Sequence, residues 1–190
     1  MRFGKKIVRI KNGMTLLLRS PEEQDAEDMI DFLKQTAGES NHLLRTPEEV
    51  LMTAPEEQAF LRGMLEDGRR IMINAVHGEE IIGNVSIFPV GIRQRVFHRA
   101  ELAVAVRKAF WGQGVGSLLM REAIDKAGRM GYELLELTVY ADNTRAIRLY
   151  EGLGFEAWGQ RKNACKMPDG SYRDDLLMGL FLSKEASHGF

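Results

Sequence analysis

The sequence predicts a single α/β domain built on a mixed sheet. Its 190 residues fit one domain, because a typical domain holds roughly 150 residues. Strand patterns interrupted by a turn signal occur at both ends of the chain and predict antiparallel hairpins. Between them, a strand–helix–strand pattern over residues 100–140 predicts a locally parallel pair joined by a crossover helix. Together, these patterns predict a mixed, mostly antiparallel sheet flanked by helices.

The chain opens with a hairpin pattern. The strand-forming stretches 5–11 and 14–19 flank Asn12-Gly13, a pair that tolerates the positive φ angles of a type I′ turn. We therefore expect two short antiparallel strands before the first helix.

Three segments carry helix-start signals. Ser20 is predicted to be the N-cap of a first helix that stops at Gly38. The same type of signal recurs in Thr46-Pro47-Glu48-Glu49 and in Thr53-Ala54-Pro55-Glu56. At least one of these helices is expected to extend to Asp67-Gly68.

Apolar spacing predicts the later elements. Leu135, Leu137 and Val139 alternate as on one face of a strand, and from Val115 to Ala127 an apolar residue recurs every fourth position, as on a helix. The predicted order is strands at 70–76, 81–88 and 100–106, a helix at 114–129, a strand at 133–140, a helix at 143–153, and two strands joined around Met167-Pro168-Asp169-Gly170.

Composition excludes several function classes. The single cysteine, Cys165, cannot form an internal disulfide or a cysteine-based zinc site, and no two of the four histidines have the spacing of a helical metal pair, so no metal is expected. No signal segment or run of 18 apolar residues occurs, which predicts a cytoplasmic protein that does not span a membrane. The net charge of −1 argues against a nucleic-acid partner.

The small net charge conceals an uneven distribution. Residues 1–19 hold six basic and no acidic side chains, whereas residues 20–68 hold three basic and 13 acidic ones. Charged helix faces are usually only solvated. The alternative is that the acidic segment attracts a cationic ligand.

A glycine-rich turn is the most distinctive local feature. Trp111-Gly112-Gln113-Gly114-Val115-Gly116 stands between a predicted strand and a predicted helix. Glycines allow a tight turn and close backbone approach, and the helix start that follows favours an anion such as a pyrophosphate. The turn lacks the lysine of a P-loop, and Ser117 stands where a dinucleotide fingerprint needs its third glycine. Pyrophosphate binding and a purely structural turn remain the two interpretations.

Two motifs together resemble the GCN5-related N-acetyltransferase (GNAT) family. Gly114 and Gly116 match the small positions of its pyrophosphate motif R/Q-x-x-G-x-G/A, with Trp111 where arginine or glutamine is commoner. Residues 143–155 match N-x-x-A-x-x-L-Y-x-x-x-G-F at every specified position. The resemblance covers residues 14–182. It implies a single GNAT domain with residues 1–13 as a hairpin extension and residues 183–190 as a tail.

The resemblance also implies a sheet and a cofactor. It predicts six to seven strands that splay apart between the fourth and fifth strands of the family core, with an extra N-terminal hairpin strand. It implies acetyl-CoA as cosubstrate, its pantetheine arm lying along the strand before the glycine turn. The cofactor-binding residues implied are Val104, Val106, Trp111, Gly112, Gln113, Gly114, Val115, Gly116, Ser117 and Asn143.

The same resemblance indicates two catalytic residues. Tyr150 is the expected proton donor to the departing thiolate, although its helical spacing also fits a packed apolar stripe. Glu101 is the candidate base, although a carboxylate at a strand end can simply be exposed, and ordered water can deprotonate the amine instead. Asn143 fits both a helix N-cap and a hydrogen bond to pantetheine.

The function implied is direct transfer of an acetyl group to an amine. A polyamine, another small amino compound or a protein N-terminus would each fit, and the segment 169–174 resembles the branch that contains ribosomal-protein and polyamine acetyltransferases. A non-catalytic acyl-CoA-binding regulator of the same fold is the alternative. The sequence leaves a homodimer open.

Overall fold

The computed structural model describes residues 1–182, which form one eight-stranded sheet and four α-helices. The sheet order is β1-β2-β3-β4-β5-β6-β8-β7, and β5 and β6 pair in parallel while the β1–β2, β2–β3, β3–β4, β6–β8 and β7–β8 pairs are antiparallel. The predicted mixed sheet and crossover helix are therefore confirmed. The elements are β1 Lys6–Arg9, β2 Thr15–Arg19, α1 Ala26–Glu39, α2 Ala54–Glu66, β3 Ile71–His77, β4 Glu80–Pro89, β5 Arg99–Val106, α3 Val115–Arg129, β6 Leu134–Tyr140, α4 Thr144–Glu151, β7 Glu156–Lys166 and β8 Tyr172–Phe181.

The strand count differs from the six to seven predicted for the core. The extension strand β1 is hydrogen-bonded to β2 over four residue pairs, so it belongs to the same sheet. The predicted tail, residues 183–190, lies outside the described residues.

The chain divides into two compact units. The first comprises Met1–Phe88 and Ala103–Ala123, and therefore holds the first hairpin, α1, α2, β3, most of β4, the second half of β5 and the start of α3. The second comprises Pro89–Leu102 and the residues from Ile124 onward, including β6, α4, β7 and β8. The single domain expected from the sequence stays a prediction.

The first hairpin is confirmed, but its turn type is not. A type I′ turn needs positive φ at both central residues, and Gly13 has it (φ 88°) while Asn12 does not. Gly13 N–H donates to the Ile10 carbonyl at 2.9 Å, and Ile10 N–H donates to the Met14 carbonyl at 2.9 Å. The connection is therefore a three-residue loop that ends in a left-handed glycine.

The predicted start of the first helix is wrong. Helix α1 begins at Ala26, after a short 3-10 turn in which Glu22 and Asp25 form the capping box. The hydroxyl of Ser20 instead accepts from the amide of Phe3 at 2.9 Å and donates to the Met72 carbonyl at 3.0 Å. Ser20 is therefore used to join distant chain segments.

The other helix signals give a mixed outcome. Both predicted threonine caps form capping boxes, Thr46 with Glu49 and Thr53 with Glu56. Gly38 does not stop α1, which continues to Glu39. The helix expected to extend to Asp67-Gly68 is α2, with Asp67 as its C-cap.

Helices α1 and α2 are held by a shared apolar cluster of the first unit. Its buried members include Met29 and Phe32 from α1, Leu61 and Met64 from α2, and Met72 from β3. Burying a side chain of this size stabilises a fold by about 1.5–3 kcal/mol, whereas a favourable helix pair on the surface adds only about 0.2–0.5 kcal/mol. The cluster therefore fixes these helices more than their local propensity does.

A glycine allows α3 to pack closely on β4 in the same unit. A Cβ atom added to Gly83 would stand 2.9 Å from Leu119 Cδ1 and 3.3 Å from Val115 Cγ1. Both partners are fully or nearly fully buried side chains of α3. Gly83 thus sets the distance between the sheet and the helix that starts at the glycine-rich turn.

In the second unit, β6 shows the predicted alternation. Leu135, Leu137 and Val139 are all buried. The turn predicted at 167–170 joins β7 to β8, with Gly170 at φ 85°. Strand β7 carries an irregularity between Arg161 and Cys165.

We predict that Gly83→Val destabilises the protein by about 1–3 kcal/mol, because the new methyl groups would overpack the contact with Leu119 and Val115. Urea unfolding followed by far-UV circular dichroism measures the change. Gly159→Val is the matched control, since Gly159 also lies in a strand and has open space at its Cβ position. Equal stability of the two variants would contradict the close packing of α3.

Candidate active site

The glycine-rich turn links β5 to α3 within the first unit. Strand β5 ends at Val106, a short 3-10 turn follows, and Gly112 and Gly114 then adopt φ angles of 75° and 90°. These angles lie in the left-handed region that favours glycine, so the chain can reverse here without backbone strain. The indole Nε1 of Trp111 donates to the Val106 carbonyl at 2.6 Å and closes the turn onto the strand.

The start of α3 supplies unpaired backbone donors. The Gly114 carbonyl accepts the first intrahelical hydrogen bond, from the Leu118 amide at 3.0 Å. The amides of Val115, Gly116 and Ser117 precede that bond, so they have no carbonyl of their own helix to donate to. These donors and the positive end of a 15-residue helix favour an anion.

Strand β5 directs backbone groups of Val104 and Val106 away from β4. Just beyond the strand, the Arg107 amide donates to the Ile82 carbonyl of β4 at 2.9 Å. Hydrogen-bonding direction alternates along a strand, so Ala105 faces β4 and the two valines face the opposite edge. The Val106 carbonyl is occupied by Trp111, which leaves the Val106 amide and both backbone groups of Val104 for a ligand.

The register with β6 does not cover this edge. In the second unit, β5 pairs with β6 at three positions, from Arg99↔Leu134 to Glu101↔Glu136. The pairing therefore ends before Val104. The predicted cofactor residues from Val104 to Ser117 form one continuous edge, turn and helix start.

Asn143 is the N-cap of α4 in the second unit. Its Oδ1 accepts from the Ala146 amide at 3.2 Å, which confirms the structural part of the interpretation. The Nδ2 group remains as the donor that a ligand could use.

Tyr150 is the buried residue of α4 and packs against Phe155, with ring centroids 6.0 Å apart. Burial raises the pKa of its phenol to about 12, because the phenolate would be poorly solvated. Two side-chain polar atoms among residues 1–182 are enclosed without a hydrogen bond, Glu57 Oε2 and Arg107 Nε, and the Tyr150 hydroxyl is not one of them. The ring is therefore packed, as its helical spacing predicts.

Glu101 is exposed and lies opposite a second carboxylate. The register pairs it with Glu136 of β6, whose carboxylate accepts both the Nε and, at 2.8 Å, the NH2 group of Arg99. Glu136 is a functional candidate that the sequence reasoning did not select. The available sequence signal for Glu136 was the presence of one charged residue in a strand, 134–140, that is otherwise mostly apolar. Among the described residues, no hydrogen bond joins Glu101, Asn143 or Tyr150 to one another.

Glu57 is a second residue that the sequence reasoning missed. Its side chain is 1% exposed, on the face of α2 that also carries Leu61 and Met64. Its Oε2 atom has no hydrogen-bond partner, and burial raises the pKa of the carboxyl above its usual value, partly offset by the charge of Arg45. The available sequence signal was its helical spacing, which places Glu57 on the same face of α2 as the apolar Leu61 and Met64.

Two features are absent from residues 1–182. They contain no group of three or more histidine, cysteine or acidic side chains arranged to hold a metal ion. In the same range, no helix is both long and apolar enough to cross a membrane.

Comparison with known proteins identifies the family. A family model described as acetyltransferase (GNAT) family matches residues 33–155. An L-amino acid N-acetyltransferase of Escherichia coli is 32% identical over 112 residues, covering 58% of this chain and 67% of that protein. A ribosomal protein bS18-alanine N-acetyltransferase of Haemophilus ducreyi is 36% identical over 98 residues, covering 51% of this chain and 68% of that protein.

The fold agrees with this comparison. A solved GNAT acetyltransferase from Streptococcus pneumoniae is similar to this chain with a TM-score of 0.84 and 32% identity, covering 88% of this chain and 99% of that one. The family match extends over more than half of the sequence and includes the glycine turn and the whole Asn143–Phe155 motif. The protein therefore belongs to the acetyltransferase (GNAT) family.

Proposed function

We propose that the protein is an N-acetyltransferase that moves an acetyl group from acetyl-CoA directly to an amine. The observation that carries the proposal is the continuous arrangement of the Val104–Val106 edge, the glycine turn and the start of α3. The amides of a pantetheine arm can pair with a strand edge as an added strand does. A pyrophosphate then fits the helix start, where backbone donors converge.

Acetyl transfer to an amine involves three events. A neutral amine nitrogen attacks the thioester carbonyl, the carbon–sulfur bond breaks, and the departing thiolate takes a proton. We assign the proton donation to Tyr150, because a buried phenol stays protonated at neutral pH and keeps its proton available for the thiolate. The Asn143 amide is proposed to orient the pantetheine arm.

We propose Glu101 as the base, directly or through ordered water. Arg99 neutralises Glu136 across the strand pair, so Glu101 is the carboxylate of this pair that is not committed to an arginine fork. An exposed carboxylate next to Ala103, itself exposed, leaves room for an incoming amine.

We infer that the acceptor carries a positive charge when it binds. Residues 20–68 carry 13 acidic and three basic side chains, and the buried Glu57 has one carboxylate oxygen, Oε2, without a hydrogen bond there. An unpaired buried polar group costs free energy, and a bound ammonium would offset that cost. The relatives named for amino acids and for a protein alanine leave small amines and protein N-termini as candidate acceptors.

Thiol release from acetyl-CoA tests the proposed function. The acceptors would be spermidine, a panel of L-amino acids and short peptides with free N-termini. Acceptor-dependent thiol release supports the transferase. CoA binding without release for any acceptor would favour the acyl-CoA-binding regulator. The cytoplasmic location and the homodimer stay predictions.

We predict that Tyr150→Phe lowers kcat by about 10²–10⁴-fold and leaves the Kd for acetyl-CoA within about twofold, because proton donation is lost while packing is kept. Steady-state kinetics and calorimetry measure the two effects. Because the phenol pKa is about 12, loss of activity between pH 8 and 10 is not expected to come from Tyr150. Full activity of the variant would contradict the assignment.

We predict that Glu101→Gln removes the acidic limb of the kcat/KM profile, because the amide cannot accept the amine proton. Glu136→Gln is the matched comparison, since it changes the same charge on the neighbouring strand but leaves Glu101 in place. An unchanged acidic limb in Glu101→Gln would show that another group is the base.

We predict that Glu57→Gln raises the free energy of unfolding at pH 7 by about 1–3 kcal/mol, because it removes a buried charge whose desolvation outweighs the attraction of Arg45. The folded pKa of Glu57 lies above the unfolded one, so the native state binds more protons between the two values. Stability of the wild-type protein therefore falls as pH rises through this range, and the advantage of the variant disappears below about pH 4.

The neighbouring Glu56→Gln is the control for this prediction. Glu56 is exposed and caps α2 through Thr53, and its pKa is lowered by those hydrogen bonds, so its substitution reduces stability at neutral pH instead. If Glu57 also contacts the acceptor, Glu57→Gln raises the acceptor KM while the acetyl-CoA KM is unchanged. An unchanged or lowered stability of Glu57→Gln at pH 7 would contradict an unfavourable buried charge at Glu57.

A further inference from the structure

The N-terminal hairpin contacts the glycine turn directly. Asn12 Nδ2 donates to Gln113 Oε1 at 2.7 Å, across 101 residues of sequence. Gln113 Nε2 donates in turn to the Ala109 carbonyl at 2.9 Å. The carboxamide of Gln113 is therefore fixed on one side by its own turn and on the other by the hairpin loop.

The loop that holds Gln113 is itself ordered by hydrogen bonds. Asn12 Oδ1 accepts from the Met14 amide at 3.0 Å, so both polar atoms of the Asn12 side chain are engaged. A second contact joins the hairpin to α3, where Lys6 Nζ lies 2.6 Å from Glu122 Oε1. The hairpin is thus attached to both the turn and the helix of the proposed pyrophosphate site, all within the first unit.

The glycine turn would be flexible without the hydrogen bonds that hold Gln113. Gln113 lies between Gly112 and Gly114, and glycine loses more conformational freedom on ordering than any other residue. A turn held in its binding conformation before the ligand arrives does not lose that freedom on binding. A side chain fixed at the centre of the turn therefore raises affinity without touching the ligand.

The same loop carries positive charge. Arg9 Nε donates to the Gly13 carbonyl at 3.2 Å, and Arg9 NH2 lies 3.7 Å from the position of a Cβ on Gly13. Arg9 therefore lies against the loop at Gly13, and Lys11, the first residue of that loop, is exposed. Residues 1–19 contain no acidic residue to cancel these charges.

We propose that this hairpin is part of the cofactor site: Asn12 positions the glycine turn through Gln113, and Arg9 and Lys11 bind a phosphate of the nucleotide end of CoA. The inference rests on the proposed function. The family model begins at residue 33, so it does not include the hairpin. The phosphate is either the pyrophosphate or the 3′-phosphate, which share the chemistry that an arginine and a lysine recognise.

Calorimetric titration of the full chain with CoA and with 3′-dephospho-CoA tests the proposal. The double substitution Arg9→Gln/Lys11→Gln is expected to weaken CoA binding about three- to tenfold at low ionic strength, and less at high salt. Loss for CoA alone assigns the 3′-phosphate, and loss for both ligands assigns the pyrophosphate. Lys5→Gln is the control. Lys5 is also an exposed basic residue of the hairpin, but it precedes β1, whereas the loop follows that strand.

Asn12→Ala tests the positioning role. It is expected to weaken both ligands about two- to tenfold, the worth of one hydrogen bond, without shifting the unfolding midpoint by more than the control does. In a Gln113→Ala background, Asn12→Ala is expected to have no further effect, because both substitutions remove the same contact.

The experiments distinguish failure of the proposed function from failure of the hairpin's role. Wild-type protein that binds neither ligand would contradict the proposed function, and with it this inference. Wild-type protein that binds CoA, with Asn12→Ala and Arg9→Gln/Lys11→Gln binding as tightly as Lys5→Gln, would overturn the hairpin's role alone.

Discussion

The hydrogen bond from the Trp111 indole to the Val106 carbonyl, 2.6 Å long, joins the end of β5 to the glycine turn. Where many family members are expected to carry arginine or glutamine, this chain uses an indole that donates to the strand. The bond holds the start of the glycine turn against the end of the strand. It therefore connects the strand edge that carries the unpaired Val104 and Val106 amides to the turn that leads into the start of α3.

The neighbouring structure supports this arrangement from two sides. Gly83 lets α3 lie against β4, because any side chain there would meet Leu119. The Glu39 carboxylate at the end of α1 accepts from the Lys108 amide at 2.6 Å, so α1 contacts the 3-10 turn that precedes Trp111. The apolar cluster that holds α1 and α2 on the sheet thus also contributes to the position of the turn. The same contacts therefore stabilise the fold and position the glycine turn.

Most elements were predicted from local signals, although the Ser20 cap, the Gly38 stop and the type I′ turn were wrong. Contacts between residues distant in sequence were not predicted. The threonine caps, the two hairpins and the parallel pair all depend on residues close in sequence or on a regular period. The use of Ser20 depends on Phe3 and Met72, and the fork between Arg99 and Glu136 spans 37 residues. No local pattern carries such information.

The site shows the same division. Two motifs were sufficient to locate the glycine turn, Asn143 and Tyr150. Glu57 was missed because an acidic residue in an acidic segment is normally solvated, although its helical spacing with Leu61 and Met64 places it on the buried face. The hairpin was interpreted as an extension outside the core, yet Asn12 reaches Gln113.

We propose that one strand edge and one helix start together bind CoA through backbone groups. Amide hydrogen exchange, measured by NMR with and without CoA, tests it most directly. We expect slower exchange at Val104, Val106 and residues 115–117 in the bound state, with little change in the amides that pair β1 with β2. Saturating CoA that leaves these five amides unprotected, while protecting others, would contradict it.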